Sequence, residues 1–400
     1  MNEAILGLES RPVERYSLAK LTLTDFRCYR ALRLETDTRP VVLTGPNGAG
    51  KTNLLEAVSF LVPGRGLRGA KLAEVARHEA DEAEGASMRA WAVAASVRTP
   101  GGPVEMGTGR EPAATADGRD RRAVRVEGET VRSQSALAEN LAAVWLTPRM
   151  DRLFAEGASA RRRFVDRLVF GVDPAHAGRV TAYEQALRER ARLLRDGSGG
   201  RRADPAWLGA LEETMAARGV AIAAARKDMA VRLAAFCERP VGPFPGARLA
   251  LQGALEDWLE AGPALAAEDR FREALARSRG VDTESGGASV GPHRSDLAVC
   301  DAANGIPAGR CSTGQQKALL IAIVLASARM QAAERGVAPV LLMDEVAAHL
   351  DQRRREALFA EILAIGAQAW LAGTDPETFA PLRGAAQFFG VADASVTPIG

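Results

Sequence analysis

Four cysteines and four histidines in 400 residues, with aromatics at only 5%, leave little material for a zinc cluster or a disulfide framework. Cys28, Cys237, Cys300 and Cys311 lie far apart, with no CxxC pair and no histidine at ligand spacing beside them, so reduced structural thiols are expected. Long apolar runs are missing as well. No stretch of about 18 to 20 uncharged apolar residues occurs, and Met1 to Arg11 lacks the basic-then-apolar layout of a signal peptide. A soluble, cytoplasmic chain with no membrane partner is the expectation. Lysine is scarce, confined to Lys20, Lys51, Lys71, Lys227 and Lys317, so each position is informative. Net charge is only +2, which excludes a molecule basic all over. Any nucleic-acid surface has to be a local patch built from arginine.

A hydrophobic fraction of 47% supplies an ample core and excludes a wholly disordered chain. The length exceeds what one ordinary domain needs, which points to two lobes or one domain with a large insertion. From Leu21 the pattern predicts a strand (Leu21, Leu23, Phe26), a Cys-Tyr-Arg turn, a second strand near Leu32 to Leu34, and a buried strand within Pro40 to Thr44. A helix is predicted from Thr52 to Leu61. Trp91 to Val97 and Val124 to Val126 read as strands of a peripheral sheet, separated by a Gly/Pro/Asp-rich loop from Thr99 to Asp120. From about Ala160 to Cys237, Ala, Arg, Glu and Leu at helical spacing predict an inserted helical arm, broken near Gly197 to Arg202. A loop-rich stretch from Gly280 to His293, a strand at Leu297 to Cys300, a long apolar helix from Ala318 to Ala333 and a strand at Val340 to Met343 follow.

Gly45-Pro46-Asn47-Gly48-Ala49-Gly50-Lys51-Thr52 satisfies GxxxxGK[ST] in full, between a buried strand and a helix. Glycines let backbone N–H groups turn toward phosphates, Lys51 reaches the outer phosphates, and the Thr52 hydroxyl can ligate Mg²⁺. With Asn53 beside them these residues form the candidate ATP-binding loop; the bland alternative is a glycine-rich turn carrying a surface lysine. Val340 to Met343 ends in Asp344 and Glu345. In a P-loop fold such a strand is expected beside the P-loop strand, with Asp344 at the Mg²⁺ and Glu345 at the attacking water. Alternatively the two carboxylates open a solvent-exposed loop. Ser312, Gly314 and Gln315 open the long apolar helix, an anion site by its free N–H groups and dipole, or else an ordinary N-cap.

The order of phosphate loop, Ser-x-Gly-Gln helix start, acidic strand and His349-Leu350-Asp351 is similar to the ABC/SMC class of ATPases. In that class the serine turn of one subunit covers the γ-phosphate held by the other, so Gln315 and Asp351 would sit at a dimer seam. The spacing between phosphate loop and signature, filled by a compact arm, resembles the RecF family at near full-chain coverage. Leu23-Thr24-Asp25-Phe26-Arg27-Cys28-Tyr29 resembles the family's Phe-Arg-Asn-Tyr strand, and Arg161-Arg162-Arg163-Phe164-Val165-Asp166 its Arg-Arg-x-Phe-Leu-Asp helix. Tyr183 to Arg190 is similar to its arm motif, and Gly291-Pro292-His293-Arg294-Ser295-Asp296-Leu297 to its Gly-Pro-His-Arg segment. Cys28, Ser295 and Cys311 depart from the usual Asn, acidic residue and Leu, and Gly373-Thr374-Asp375 stands where transporters carry a switch histidine.

The resemblance implies an α/β, ABC-type P-loop ATPase head of SMC-like form with an inserted helical arm. The expected division is 1–155 for the first part of the head, 156–285 for the arm and 286–400 for the rest. It implies a weak, DNA-stimulated ATPase that forms an ATP-dependent homodimer on duplex DNA near single-strand gaps and helps RecO and RecR to load RecA. Lys51 and Glu345 would be catalytic, with Arg27 near the nucleotide. Arginines crowd the arm at Arg161 to Arg163, Arg188, Arg190, Arg192, Arg195, Arg201 and Arg202, interleaved with Glu184, Glu189 and Asp196. That pattern fits either a DNA surface or a solvated mixed-charge face. Two other classes stay open, the soluble ATPase subunit of a membrane transporter and a scaffold that binds ATP without hydrolysing it.

Overall fold

A computed structural model describes residues 14–77, 90–111, 121–198 and 204–399. The chain divides into two compact units, one of Met1–Met150, Val241–Phe244 and Ile323–Gly400, the other of Asp151–Pro240 and Pro245–Ala322. The first unit begins with β1 (Glu14–Arg15), β2 (Ser17–Phe26), β3 (Tyr29–Glu35), β4 (Val41–Thr44), α1 (Lys51–Ser59) and α2 (Leu72–Val75). It continues with β5 (Trp91–Thr99), β6 (Gly102–Glu111), β7 (Arg121–Val126), β8 (Glu129–Val131), α3 (Ser135–Asn140) and β9 (Ala143–Leu146). The second unit holds α4 (Ala158–Phe170), α5 (His176–Ser198), α6 (Pro205–Cys237), β10 (Ala247–Gln252), α7 (Ala254–Ala261), α8 (Ala264–Ser285) and β11 (Asp296–Asp301). Helix α9 (Thr313–Arg335) leads back to β12 (Val337–Ala338), β13 (Val340–Asp344), α10 (Gln352–Ile365), β14 (Ala369–Gly373), β15 (Gln387–Ala392) and β16 (Ser395–Ile399).

Two six-stranded sheets build the first unit. The central one has the order β16-β15-β4-β14-β13-β9, and the peripheral one β3-β2-β5-β6-β7-β8. Strands β4, β9, β13 and β14 are buried along their whole length, the continuous apolar reading expected of parallel strands covered on both faces. The acidic strand β13 is not beside the P-loop strand β4, as the sequence suggested; β14 pairs with both and lies between them. Helix α1 packs over β13 and β14, so its first turn still meets the end of β13. Local sequence carries no record of that interposed strand.

The loop expected from Thr99 to Asp120 contains β6 instead, while 112–120 lie outside the described residues. Its glycines read as loop signals but are packing devices: a Cβ at Gly109 would stand 2.4 Å from the Trp91 carbonyl oxygen in β5. Between them Met106, Thr108 and Arg110 are buried, a period of two.

Sheet joins sheet at Gln368. This fully buried side chain accepts from the Leu18 N–H at 2.9 Å and the Trp370 indole at 3.1 Å, and donates to the carbonyls of Leu18 at 3.1 Å and Asp37 at 2.6 Å.

In the second unit α5, α6 and α8 pack around Tyr183, Met215, Val220, Phe271 and Leu275. The loop expected from Gly280 is helical up to Ser285, held by Asp282, which accepts from Arg190 and Ser278 at 2.8 and 2.6 Å. Gly286 closes that helix in the left-handed region, φ 74°. The expected boundary at 286 is not where the structure divides: β11 pairs along its full length with β10, which keeps 286–322 in the second unit. Among the described residues no helix is long and apolar enough to cross a membrane.

Replacing Gln368 by Leu leaves two N–H donors and two carbonyls without their partner. We expect about 2–4 kcal/mol of lost stability in the first unit, read as a lower urea midpoint in tryptophan fluorescence; an unchanged midpoint would remove this role.

Candidate functional site

The loop after β4 is shaped by close approaches that only glycine allows. Gly45 has φ 151°, and a Cβ there would stand 2.0 Å from the Val391 carbonyl oxygen at the end of β15. Gly50, φ 111°, is the N-cap of α1, and a Cβ would meet the Tyr29 hydroxyl at 2.6 Å and Cys28 Sγ at 2.8 Å. The first turn of α1 carries no acidic residue and its N-cap has no side-chain partner. Its free N–H groups and the positive end of its dipole therefore face the loop, a setting made for an anion.

Four predicted side chains converge there. Lys51 is buried, and its ammonium donates to the carbonyls of Gly45 and Pro46 at 2.7 and 2.8 Å. Desolvation lowers its pKa, against the pull of Glu345 and Asp344. The Thr52 hydroxyl donates to Asp344, 2.9 Å from Oδ1 and 3.1 Å from Oδ2. Burial raises the pKa of Asp344; the Thr52 hydrogen bond lowers it, Glu345 raises it further, and Arg68 and Lys51 lower it. A buried carboxylate whose ionisation is disfavoured, beside a hydroxyl oxygen, fits the oxygen ligands that Mg²⁺ takes. Glu345 is half-buried and sits in the left-handed region at φ 50°, its N–H donating to the Ala372 carbonyl at 3.0 Å. A non-glycine residue held there costs about 1 kcal/mol or more, and such strain is tolerated where a side chain must be aimed.

Pro46, Asn47 and Gly48 are exposed at the loop tip, and Ala49 donates its N–H to the Pro46 carbonyl at 3.3 Å. Asn53 donates to Cys28 Sγ at 3.1 Å and accepts from Arg68 at 2.8 Å. Two partners beside the loop escaped the sequence reading, Glu56 and Arg68, and with them the pairing of Arg27. Glu56 in α1 has no exposed side-chain surface, accepts two bonds from Arg27 at 2.8 Å each, and a third from Arg68 at 2.7 Å. Arg27 is therefore paired with a buried glutamate and not with a surface acid. Only a glutamate amid buried helix positions, with Arg68 in a glycine-rich turn downstream, could have signalled this.

Ser312, Gly314 and Gln315 are exposed and belong to the second unit. Helix α9 starts at Thr313, earlier than expected, through a reciprocal cap: Gln315 N–H donates to Ser312 Oγ at 3.3 Å, and Ser312 N–H to Gln315 Oε1 at 2.9 Å. Asp351 caps α10 through the Arg354 N–H at 2.8 Å. Three of the arm arginines are engaged internally. Arg161 pairs with Asp296, Arg162 donates to the Ser295 carbonyl, and fully buried Arg190 holds Glu212 and Asp282. Arg201 and Arg202 lie outside the described residues.

A parallel sheet, a glycine loop capping α1, and an acidic strand end facing Thr52 define a P-loop ATPase head of the ABC type. The RecF/RecN/SMC N terminal domain family matches over residues 17–381. The DNA replication and repair protein RecF of Mesorhizobium japonicum is 48% identical over 383 residues, 95% of this chain and 97% of that protein. RecF of Caulobacter vibrioides is 50% identical over 388 residues, 96% and 98% of the two chains. Among solved structures, the recombination mediator protein RecF-ATPrS in the RecFOR pathway superposes with TM-score 0.81 at 22% identity, covering 97% of this chain and 99% of that one. An Smc head domain from Pyrococcus furiosus reaches TM-score 0.52 at 16% identity, covering 96% of each. The chain belongs to the RecF family.

Because the pKa of Asp344 is raised in the folded state, its ionisation opposes folding: stability is greatest below the unfolded value of 3.8 and falls as pH rises through the folded one. In metal-free buffer, Asp344→Asn should therefore melt above the parent at pH 7–8, with the gap closing as pH falls toward 4. Thermal melts across pH that show no gap, or one that widens in acid, would contradict the burial of that charge.

Proposed function

We propose that this chain is an ATP-dependent DNA-binding protein of gap repair and replication, whose two copies close around ATP and separate after slow hydrolysis. The observation that carries the reading is the assembly of Lys51, Thr52, Asp344 and Glu345 beneath the glycine loop. Relatives named DNA replication and repair protein RecF, matching over nearly the whole chain, support the biological setting. A RecF-ATP structure of the same fold supports the nucleotide.

In this reading the N–H groups of Gly48, Gly50, Lys51 and Thr52 cradle the phosphates, and Lys51 leaves the carbonyls of Gly45 and Pro46 for the outer phosphate oxygens. Thr52 and Asp344 hold Mg²⁺, which neutralises phosphate oxygens when bound. Glu345 accepts a hydrogen bond from the attacking water and orients it. Ser312, Gly314 and Gln315 of one copy complete the phosphate site of the other, through a helix N-terminus whose dipole favours the anion. RecO and RecR as partners, and loading of RecA, come with the family. DNA contact rests on arginines that stay exposed, and such binding weakens steeply with salt.

Sedimentation with and without ATP and duplex DNA tests the clamp. The parent should dimerise only with ATP, whereas Lys51→Ala and Ser312→Arg stay monomeric. A parent monomeric under every condition would sink the model of two copies. Glu345→Gln should still dimerise but hydrolyse about 100-fold more slowly; parent-like turnover would remove the role given to Glu345.

A further inference from the structure

Arg122 of β7 lies against the far end of the P-loop helix. All five donors of its guanidinium have acceptors. Nε donates to Thr108 Oγ1 at 2.8 Å, and Nη1 to the Gly64 carbonyl at 2.5 Å and Gln134 Oε1 at 2.8 Å. Nη2 donates to the Phe60 carbonyl and to the Val62 carbonyl, the latter at 3.3 Å. The guanidinium also stacks over the Phe60 ring, 5.3 Å from its centroid. None of the five acceptors is a carboxylate, and burial lowers the pKa of Arg122 to about 10. A largely enclosed cation whose acceptors among the described residues are all neutral is costly. Phe60 is the C-cap of α1, so the charge lies where the helix dipole is negative and where orphan carbonyls need donors.

What Arg122 grips is the start of a loop that returns to the other end of the same helix. Gln134 Oε1 also takes the Gly64 N–H at 3.1 Å, Leu67 N–H donates to Ser59 Oγ at 2.7 Å, and Gly66, φ 69°, lies against the Phe60 ring. Arg68 follows, and its guanidinium reaches Asn53 and Glu56 beside the phosphate loop and lowers the pKa of Asp344.

We propose that Arg122 is a positioning residue for the nucleotide site: from the peripheral sheet it fixes the course of residues 60–68 and so holds Arg68 against Asn53 and Glu56. A lysine has three donors on one nitrogen and cannot satisfy five acceptors on three segments, so charge alone is insufficient. The inference rests on the ATP reading above.

The test is a double-mutant cycle on Mg²⁺-ATP affinity, with apo melting temperature measured alongside. Arg122→Met and Arg68→Ala should each weaken ATP binding about ten-fold, while the double variant binds no more than about two-fold weaker than the poorer single, because both changes act through one loop. Arg122→Lys should recover little of the affinity, whatever it recovers of the melting temperature. If Arg122→Met does not fold, Gln134→Leu, which releases Gly64, replaces it in the same cycle with a smaller loss. ATP affinity equal to the parent's in the position-122 or position-134 variant, or losses that multiply with Arg68→Ala, would overturn the proposal and leave the ATP reading intact. A parent that binds no ATP would remove both.

Discussion

The geometry of the phosphate loop depends on one carboxylate that never meets water. Glu56 is buried in the helix that follows the loop and holds two arginines, Arg27 from the turn between β2 and β3 and Arg68 from the loop after α1. Taking one partner from such a cluster leaves an uncompensated buried charge, at about 3–5 kcal/mol. Arg27 also donates to the Glu74 carbonyl, and its own backbone, at φ 54°, is held by an N–H bond to the Val75 carbonyl. The turn that carries it brings Cys28 and Tyr29 against Gly50, the N-cap of α1. Charge pairing on one face of the helix thus sets the steric floor beneath the loop.

Beneath the phosphate loop the charges are left unbalanced. Burial opposes both the Lys51 ammonium and the Asp344 carboxylate, although the carboxylates of Asp344 and Glu345 pull the Lys51 pKa up and Lys51 pulls that of Asp344 down. Lysine is parked on two backbone carbonyls and the aspartate on one hydroxyl, partners weaker than an ion. A site arranged this way gains from an anion and a cation arriving together, the charge pattern of a nucleotide with its metal. The left-handed backbone of Glu345 belongs to the same economy, since the strain is local and the carboxylate it aims remains half-exposed.

Much of this was legible because it is written in contiguous residues. The glycine loop, the carboxylates closing an apolar strand, and the serine-capped start of an apolar helix each occupy fewer than ten positions, and periodicity placed each on its element. What stayed hidden was pairing at a distance. No local pattern reveals that β14 lies between β4 and β13, because sheet order is decided by how crossovers pack. Glycine spacing in β6 mimicked a loop because the demand for small residues comes from β5 across the ladder. Glu56 looked like any helical glutamate until Arg27 and Arg68, 29 and 12 residues away, were brought to it.

The arm shows the same limit in the language of charge. Read along the chain, its arginines make a basic cluster, but density in sequence is not density on a surface. Arg226 and His176 converge on Asp166; burial pushes that carboxyl's pKa up, and the two partners outweigh it and leave the value below the ordinary one. Arg190 is enclosed by Glu212, Asp282 and the Leu275 carbonyl. Both sets tie helices of the second unit to one another, work an arginine does well because its planar fork satisfies several acceptors at once. Arg163, Arg188, Arg192 and Arg195 stay exposed, and of these Arg188 faces Glu184 at 3.7 Å. A long-range field from the arm therefore comes from those exposed arginines and not from Arg161, Arg162 and Arg190, which are engaged in internal contacts. In α5, Arg188 and Arg192 stand one helical turn apart and are exposed while Arg190 between them is buried, so a residue that holds the arm together and those that give it outward charge are neighbours in sequence on opposite faces.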